Sequence, residues 1–358
     1  MRVVKLPSGR WQDSTDEQLG GIRENTICLV RYGGYGDMLQ CSSIFPILKK
    51  QGFRVCVNCS ERGAQILKND PHVDELLTQY DEQVPNAELG EYWDRIAPLF
   101  QGFINLGQVV EVGLLCTPNE EEYLWPTEKR HKKLNKNYSE ALHDRAGVEY
   151  SFDNTFFPST SEKKWVERER RKMSIGSNHY VIVVTLSGSS VHKAYPHMDA
   201  VVARALVTMP EVRFVMVGDE FCQILEVGWE KERRVFARSG KWSIRKTLAF
   251  AQRADLVVGP ETGVLNSVSM EDVAKVVLLS HSSRENLPKY WVNTTSIVPD
   301  GVDCYPCHKI HFSFKTCNRD DETGGAMCAA KIDPNTVVKA IEYHRNLKYD
   351  VPRTLSNS

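Results

Sequence analysis

The chain of 358 residues carries almost no net charge, since 45 Lys and Arg stand against 46 Asp and Glu for a formal charge of -1. A protein that coats nucleic acid or adheres to an anionic membrane by charge alone needs a much stronger positive field. The balance of charges therefore gives no indication of nucleic acid as a partner.

Long apolar runs are also missing, because no stretch approaches the roughly 20 residues that a membrane span requires. The segment from Met1 to Arg23 is mixed and polar, and it lacks the apolar core of a signal peptide. We therefore expect a cytoplasmic protein with no transmembrane segment. Peripheral association with a membrane stays open.

Cysteine, by contrast, is plentiful, with ten residues that should be mostly reduced in the cytoplasm. Six are scattered, namely Cys28, Cys41, Cys56, Cys59, Cys116 and Cys222. Four lie near the carboxyl end, namely Cys304, Cys307, Cys317 and Cys328. The pair Cys304–Cys307 has C-x-x-C spacing, and with the two later thiols it permits a four-thiolate zinc site. His308 and His311 are alternative ligands, and a loop of reduced or disulfide-linked cysteines is the other interpretation. Any metal here is expected to be structural.

Short apolar runs alternate with longer amphipathic segments along most of the chain, which predicts parallel strands with crossover helices. In the first half, strands are predicted at 26–31, 54–59, 73–78 and 102–106, with helices at 38–50, 60–69 and 87–98. In the second half, strands are predicted at 180–186, 212–217, 255–258 and 275–279, with helices at 162–173, 198–209, 243–253, 264–271 and 334–347. The length favours two α/β domains. We expect doubly wound, Rossmann-like domains at 1–160 and 161–333, then a helix and tail at 334–358.

The first loop of interest follows the first predicted strand and opens a helix. Gly33, Gly34 and Gly36 permit a tight turn and close approach of a ligand. Asp37 has two interpretations, because an Asp at a helix start is a good cap and a carboxylate can also remove a proton from a hydroxyl. The pattern is not the complete dinucleotide fingerprint, and this disfavours a nicotinamide enzyme.

Two further loops follow strands of the second half, where ligands of such sheets bind. Ser187, Ser189, Ser190 and Lys193 form the first, whose hydroxyl donors and mobile cation suit a diphosphate. Glu261, Thr262, Gly263 and Asn266 form the second, where the acid suits ribose hydroxyls and the helix start suits phosphate. The alternatives are an ordinary turn with a solvated Lys for the first loop, and helix caps for the second.

Taken in this order, the three loops resemble those of the heptosyltransferase family, the family 9 glycosyltransferases that include ADP-heptose:lipopolysaccharide heptosyltransferases. The resemblance runs from about Thr26 to Ile341. It rests on Gly36-Asp37, on the stretch 70–74, on Lys193 with the following Tyr195-Pro196, on 261–263, and on the cysteine-rich segment before the last helix. The family has the GT-B fold, in which two Rossmann-like domains face a cleft.

The resemblance implies an inverting glycosyltransferase that moves a heptose-like sugar from a nucleotide diphosphate to an acceptor hydroxyl, with an ADP-sugar favoured as donor. It implies that Asp37 is the general base, that Lys193 and Ser190 neutralise the diphosphate, and that Glu261 holds the ribose. Thr262 and Gly263 would then hold phosphate oxygens. Catalysis would need no cofactor, since Lys193 and helix N-termini can neutralise the leaving group.

This chain departs from the family at two positions of the predicted donor site, with Glu261 where Asp is usual and Asn266 where His is usual. Two other classes of function stay open. One is a nucleotide-sugar epimerase of the same two-domain fold, and the other is a non-catalytic assembly protein that keeps only the nucleotide pocket. No segment indicates the acceptor, and a carbohydrate, another hydroxyl-bearing molecule and a modified nucleic-acid base all stay open.

Overall fold

The structure is a computed structural model that describes residues 3–5, 11–13, 23–80, 84–118 and 120–350. The chain divides into two compact units. The first comprises Met1–Leu114 with Lys136–Ser159, and the second comprises Leu115–Asn135 with Thr160–Ser358. Residues 115–135 and the last helix both belong to the second unit. The predicted domains at 1–160 and 161–333 stay a prediction.

The strands are short, and most are apolar. They are β1 (Val3–Lys5), β2 (Trp11–Asp13), β3 (Arg23–Val30), β4 (Arg54–Ser60), β5 (Glu75–Gln79), β6 (Phe100–Asn105), β7 (Tyr180–Thr185), β8 (Val212–Val217), β9 (Val235–Ala237), β10 (Leu256–Pro260), β11 (Ala274–Leu278) and β12 (Thr294–Ile297). Strands β1 and β2 pair with each other. The first unit then has a parallel sheet in the order β5-β4-β3-β6, and the second has one in the order β12-β11-β10-β7-β8-β9.

The helices mostly connect successive strands. They are α1 (Tyr35–Ser42), α2 (Phe45–Lys50), α3 (Glu61–Leu67), α4 (Leu89–Ile96), α5 (Thr127–Leu134), α6 (Tyr138–Ala146), α7 (Thr160–Lys172), α8 (Met198–Thr208), α9 (Ile244–Ala251), α10 (Gly263–Asn266), α11 (Met327–Ala330) and α12 (Pro334–Asp350). In the second unit, α12 packs against α8, β11 and β12.

The predicted alternation of strands and helices is confirmed in both units, and with it the α/β fold class. The predicted helix 38–50 was wrong in one respect, because it is two helices, α1 and α2. Pro46 lies in the first turn of α2, the position where its missing N–H costs no helical bond. The short strands β9 and β12 were not predicted.

Each sheet has a topological switch point, where the chain returns to the middle of the sheet. In the first unit the strands advance from β3 to β5 and then return to β6 beside β3. In the second they advance from β7 to β9 and return to β10 beside β7. Ligands of open α/β sheets bind beyond the carboxyl ends of the strands at such a point. We therefore expect ligands to bind at the loops after β3 and β6 in the first unit, and at the loops after β7 and β10 in the second.

Candidate functional site

In the first unit, a buried arginine organises the switch point. Arg31 directly follows β3 and its side chain is 0 % exposed. Its Nη2 lies 2.9 Å from Oδ1 of Asp37 and 2.8 Å from Oε1 of Glu111, and its Nη1 donates to the carbonyl of Leu106 at 3.3 Å. Burial alone would lower the pKa of Arg31, but the two carboxylates raise it above its usual value. A guanidinium held in this way is permanently charged.

Asp37 combines the two interpretations that the sequence left open. Its Oδ2 accepts a hydrogen bond of 2.7 Å from the N–H of Gly34, which precedes α1, while its Oδ1 faces Arg31. The side chain is nevertheless 28 % exposed, so solvent reaches the carboxylate. Asp37 is therefore a capping residue at the helix start, and its carboxylate is accessible to solvent and paired with a buried cation. Its catalytic role stays a prediction.

Of the three predicted glycines, Gly33 is the one whose backbone requires glycine. Its φ is +147°, and a Cβ there would lie 2.6 Å from Oδ2 of Asp37. Gly34 has an ordinary φ of -77°, and Gly36 lies within α1. Gly33 thus allows the Asp37 carboxylate to lie against the turn.

In the second unit, the loop after β7 forms a tight turn that presents Lys193. The N–H of Gly188 donates to the carbonyl of Lys193 at 2.9 Å, and the N–H of Lys193 donates to the carbonyl of Ser190 at 2.9 Å. A Cβ at Gly188 would lie 2.8 Å from Cδ of Lys193 and 3.4 Å from the carbonyl oxygen of Glu261. The loop after β7 therefore lies directly against the loop after β10, as the switch point predicts. Ser189 is exposed, and Ser187 and Ser190 are half-buried.

Glu261 lies in the loop after β10 and is only 4 % exposed. Its carboxylate accepts hydrogen bonds from the Ser282 hydroxyl at 2.6 Å and from the N–H of Ser280 at 3.2 Å. Nδ1 of His281 lies 3.2 Å from Oε2. Burial raises the pKa of Glu261, while the charge of Lys193 lowers it in part. Lys193 and Glu261 thus belong to one local electrostatic environment.

The remaining predicted donor residues lie beside Glu261. The Thr185 hydroxyl, at the end of β7, donates to the Thr262 hydroxyl at 3.1 Å and ties the two loops together. Gly263 begins α10, and the side-chain amide of Asn266 donates to the carbonyl of Thr262 at 3.0 Å. The structure therefore brings together the predicted donor residues of the two loops. Their individual contacts with a nucleotide stay predictions.

The four carboxyl-terminal cysteines share one cavity of about 250 Å³, whose wall also includes Arg130, His192 and His311. All four thiols are free. Burial raises the pKa of Cys307 to about 12 and that of Cys317 to about 11, and nearby thiols contribute to both shifts. Within residues 23–80, 84–118 and 120–350, no three Cys, His, Asp or Glu side chains are already arranged around a common metal position. Zinc therefore stays a prediction.

The sequence analysis named His311 as an alternative metal ligand but did not predict that it lies in a cluster of three histidines. His192 lies between His281 and His311, with ring centroids 4.5 Å and 5.6 Å away. Burial lowers the pKa of His192 and His281 well below the usual value and that of His311 to about 4. We call these three residues the histidine cluster. Arg31 and Glu111 were missed in the same way, since their pairing spans 80 positions.

Among the residues described, no helix has both the length and the apolarity needed to cross a bilayer.

Comparisons with known proteins give matches at the level of structure. No family model and no curated protein matches the sequence. A family 9 glycosyltransferase from Veillonella parvula has a TM-score of 0.64 at 15% identity, with 90% of this chain and 97% of that chain covered. ADP-heptose lps heptosyltransferase II from E. coli has a TM-score of 0.61 at 13% identity, covering 90% of this chain and 99% of that chain.

A third match is TibC of enterotoxigenic E. coli, described as a dodecameric iron-containing heptosyltransferase in complex with ADP-D-beta-D-heptose. Its TM-score is 0.56 at 12% identity, with 91% of this chain and 78% of that chain covered. Identities this low establish the fold and leave the reaction to be argued from the residues. The chain has the two-domain α/β fold of the family 9 glycosyltransferases and the ADP-heptose heptosyltransferases.

Proposed function

We propose that this protein is a glycosyltransferase that takes a sugar from a nucleotide diphosphate, with an ADP-sugar favoured, and adds it to an acceptor hydroxyl with inversion. The observation that carries the proposal is the meeting of the Lys193 and Glu261 loops at the switch point of the second sheet. That TibC binds an ADP-heptose supports the choice of donor.

On the donor side, the chemistry requires stabilisation of a leaving nucleoside diphosphate. The ammonium of Lys193 supplies a mobile positive charge, and the hydroxyls of Ser187, Ser189 and Ser190 supply donors. Thr262 and Gly263, at the start of the four-residue helix α10, are the residues that we assign to the phosphate oxygens. The buried carboxylate of Glu261, which is hydrogen-bonded to Ser280 and Ser282, accepts hydrogen bonds from the ribose hydroxyls of the donor.

On the acceptor side, Asp37 takes the proton of the attacking hydroxyl. The acceptor oxygen forms a bond to the anomeric carbon as the bond from that carbon to the diphosphate oxygen breaks. The nucleoside diphosphate leaves with the electron pair of the broken bond. Since attack and departure occur on opposite sides of the anomeric carbon, its configuration inverts. In this proposal the charge of Lys193 neutralises the leaving diphosphate, so the transfer is metal-independent.

The first test is donor binding, measured as thermal stabilisation by a panel of nucleoside diphosphates and nucleotide sugars. A ligand at 100 times its Kd adds about 2.7 kcal/mol of stability. We expect ADP and ADP-sugars to stabilise the protein most. Stabilisation by UDP or GDP compounds instead would overturn the donor, and no stabilisation by any nucleotide would overturn the proposed function. Conversion of the donor sugar without an acceptor would favour an epimerase.

Replacing Lys193 by Ala should weaken ADP binding without unfolding the protein. A lost hydrogen bond to a charged group costs about 1.5–3 kcal/mol, which is roughly ten- to hundredfold in Kd. Lys339→Ala is a matched control, because Lys339 is exposed on α12 in the same unit. Isothermal titration of ADP into both variants measures the effect. An unchanged Kd in Lys193→Ala would remove Lys193 from the phosphate site.

We also propose that the four cysteine thiols bind one structural zinc ion. The donor chemistry fits, since all four thiols line one cavity and influence one another's pKa. Side-chain rotations would have to complete the ligand set. The metal would supply cross-linking of the segment and no chemistry. TibC, the match described as containing iron, makes iron the competing occupant.

Ten free thiols suit a reducing compartment, so we infer a cytoplasmic protein.

Elemental analysis should find about one zinc per chain, as for a four-thiolate structural site. The double variant Cys304→Ser, Cys307→Ser should lose the metal, because two of four ligands are gone. The matched control Cys41→Ser removes a buried thiol of the first unit and should keep the metal. Iron in place of zinc would correct the ion. A metal-free, folded wild-type protein would overturn the metal site.

A further inference from the structure

The four cysteines lie in one irregular segment, Asp303–Ile332, which we call the cysteine segment. Its described residues contain one short helix, α11, and otherwise no helix or strand. The regular hydrogen bonds of helices and strands therefore hold little of this segment in place. A bound metal would fix it, since closing a loop with a cross-link removes conformational freedom.

The cysteine segment is bonded to the loop that presents Lys193. The bonds are Val191 N–H to His311 carbonyl at 3.2 Å, Tyr195 hydroxyl to Ile332 carbonyl at 2.9 Å, and His197 Nε2 to Ala330 carbonyl at 3.0 Å. In addition, Gly325 lies so close to Pro196 that a Cβ on Gly325 would be 3.4 Å from the proline ring. These contacts connect the Lys193 loop directly to the cysteine segment.

The same segment is bonded to the residues that hold Glu261. The N–H of His308 donates to the carbonyl of His281 at 2.9 Å, and the Tyr305 hydroxyl donates to the carbonyl of Ser282 at 3.1 Å. His281 and Ser282 in turn contact the Glu261 carboxylate. Both loops of the proposed donor site thus depend on one irregular segment.

His192 belongs both to the loop that presents Lys193 and to the wall of the cysteine cavity. It is the residue before Lys193, it is 2 % exposed, and it lies in the wall of the cysteine cavity. Within the described part of the chain, neither ring nitrogen of His192 has a hydrogen-bond partner. A buried imidazole in this condition has lost its bonds to water without replacement. Its position is consequently sensitive to whatever fills or reshapes the cavity.

We propose that metal occupancy of the cysteine cavity controls the affinity of the donor site for nucleotide. With metal bound, the cysteine segment holds the Lys193 and Glu261 loops in the binding arrangement, so a nucleotide does not have to order them. Without metal, part of the binding free energy is used to order the segment. By linkage, nucleotide then raises the affinity for metal by the same factor. This inference rests on the proposed donor and metal sites.

The test compares ADP binding by isothermal titration to the full chain with Zn²⁺ loaded, stripped by a chelator, and reloaded. Circular dichroism checks that all three preparations are folded. We expect the Kd for ADP to rise about tenfold on stripping, within the usual range for coupled sites, and to recover on reloading. We also expect ADP to slow loss of Zn²⁺ to a chromogenic chelator. Equal Kd values in the loaded and stripped forms would overturn the coupling while leaving the donor site intact.

Tyr305→Phe tests the connection without touching a thiol. It removes the hydrogen bond to Ser282 and keeps the ring, so the Zn²⁺ content should be unchanged while the difference in Kd between loaded and stripped forms shrinks. Tyr343→Phe is the control, since Tyr343 is 57% exposed on α12. A coupling unchanged in Tyr305→Phe would overturn the route through Ser282. Absence of ADP binding in every form would overturn the proposed function together with the coupling, and absence of bound Zn²⁺ would overturn the coupling alone.

Discussion

Replacing Asp37 by Asn is expected to reduce sugar transfer about 10²- to 10⁴-fold, the usual contribution of a general base. The amide cannot take the proton of the acceptor hydroxyl. The amide oxygen can still accept the hydrogen bond from the N–H of Gly34, so the cap at the helix start should remain. The NH2 group then faces Arg31 and cannot replace the ion pair, which leaves Glu111 as the carboxylate beside that guanidinium. The measurement is the rate of transfer from an ADP-sugar, with ADP affinity measured in parallel. We expect that affinity to be unchanged, because the donor loops belong to the second unit.

Two comparisons separate a catalytic role of Asp37 from a structural one. Asp94→Asn changes an exposed acid on α4 of the same unit and should leave transfer intact. Asp37→Ala removes the cap as well as the base and the ion pair, and should lower the unfolding temperature more than Asp37→Asn does. Full transfer activity in Asp37→Asn would contradict the assignment of the base. A loss of ADP binding in that variant would show instead that the substitution acts through the fold.

Replacing Gly259 by Ala is expected to cost the second unit about 2–5 kcal/mol of unfolding free energy, combining backbone strain with overpacking. Gly259 lies in β10 with a φ of +147°, and a Cβ there would lie 2.2 Å from the carbonyl oxygen of Thr185. Thr185 is in the neighbouring strand β7, whose residues are all buried, so neither backbone can move away easily. Because Glu261 follows two positions later, ADP affinity should fall as well.

Gly301→Ala is the matched control for Gly259→Ala. Gly301 has a φ of +62°, but a Cβ there would meet nothing within 4 Å. It therefore reports the cost of the left-handed backbone alone, about 1–2 kcal/mol for an L-residue. Denaturant unfolding followed by tryptophan fluorescence measures both variants. Equal losses in the two would show that contact with Thr185 contributes nothing, and that the position of β10 against β7 adjusts freely.

Much of the fold follows from local patterns that the sequence displays. The continuous apolar stretch 180–185 is fully buried as β7, as expected of a central strand in a parallel sheet. The helix predicted at 198–209 is α8 to within one residue, and the strand predicted at 212–217 is β8 without change. The single helix predicted at 38–50 was wrong because a new helix begins at Phe45, with Pro46 in its first turn. Strands β9 and β12 have three and four residues, too few to show a hydrophobic period.

The candidate site was predictable to the extent that it lies in loops directly after strands. Lys193 and Glu261 were singled out from small-residue turns that follow apolar runs, and the sheet order places those turns side by side. The partners of these residues were not predictable. Ser282 bonds Glu261 from 21 positions away, and nothing near Ser282 in the sequence marks it.

The sequence by itself determined where strands, helices and turns form, because hydrophobic period and turn residues act over a few positions. It also determined which chemical groups the loops carry. Only the tertiary structure decided that Glu111 shares Arg31 with Asp37 and that His192 contacts both His281 and His311. It also decided that the cysteine segment is bonded to the Lys193 loop and to the residues that contact Glu261. These contacts depend on the order of strands in each sheet. That order results from how whole elements bury their apolar faces together, which no local pattern records.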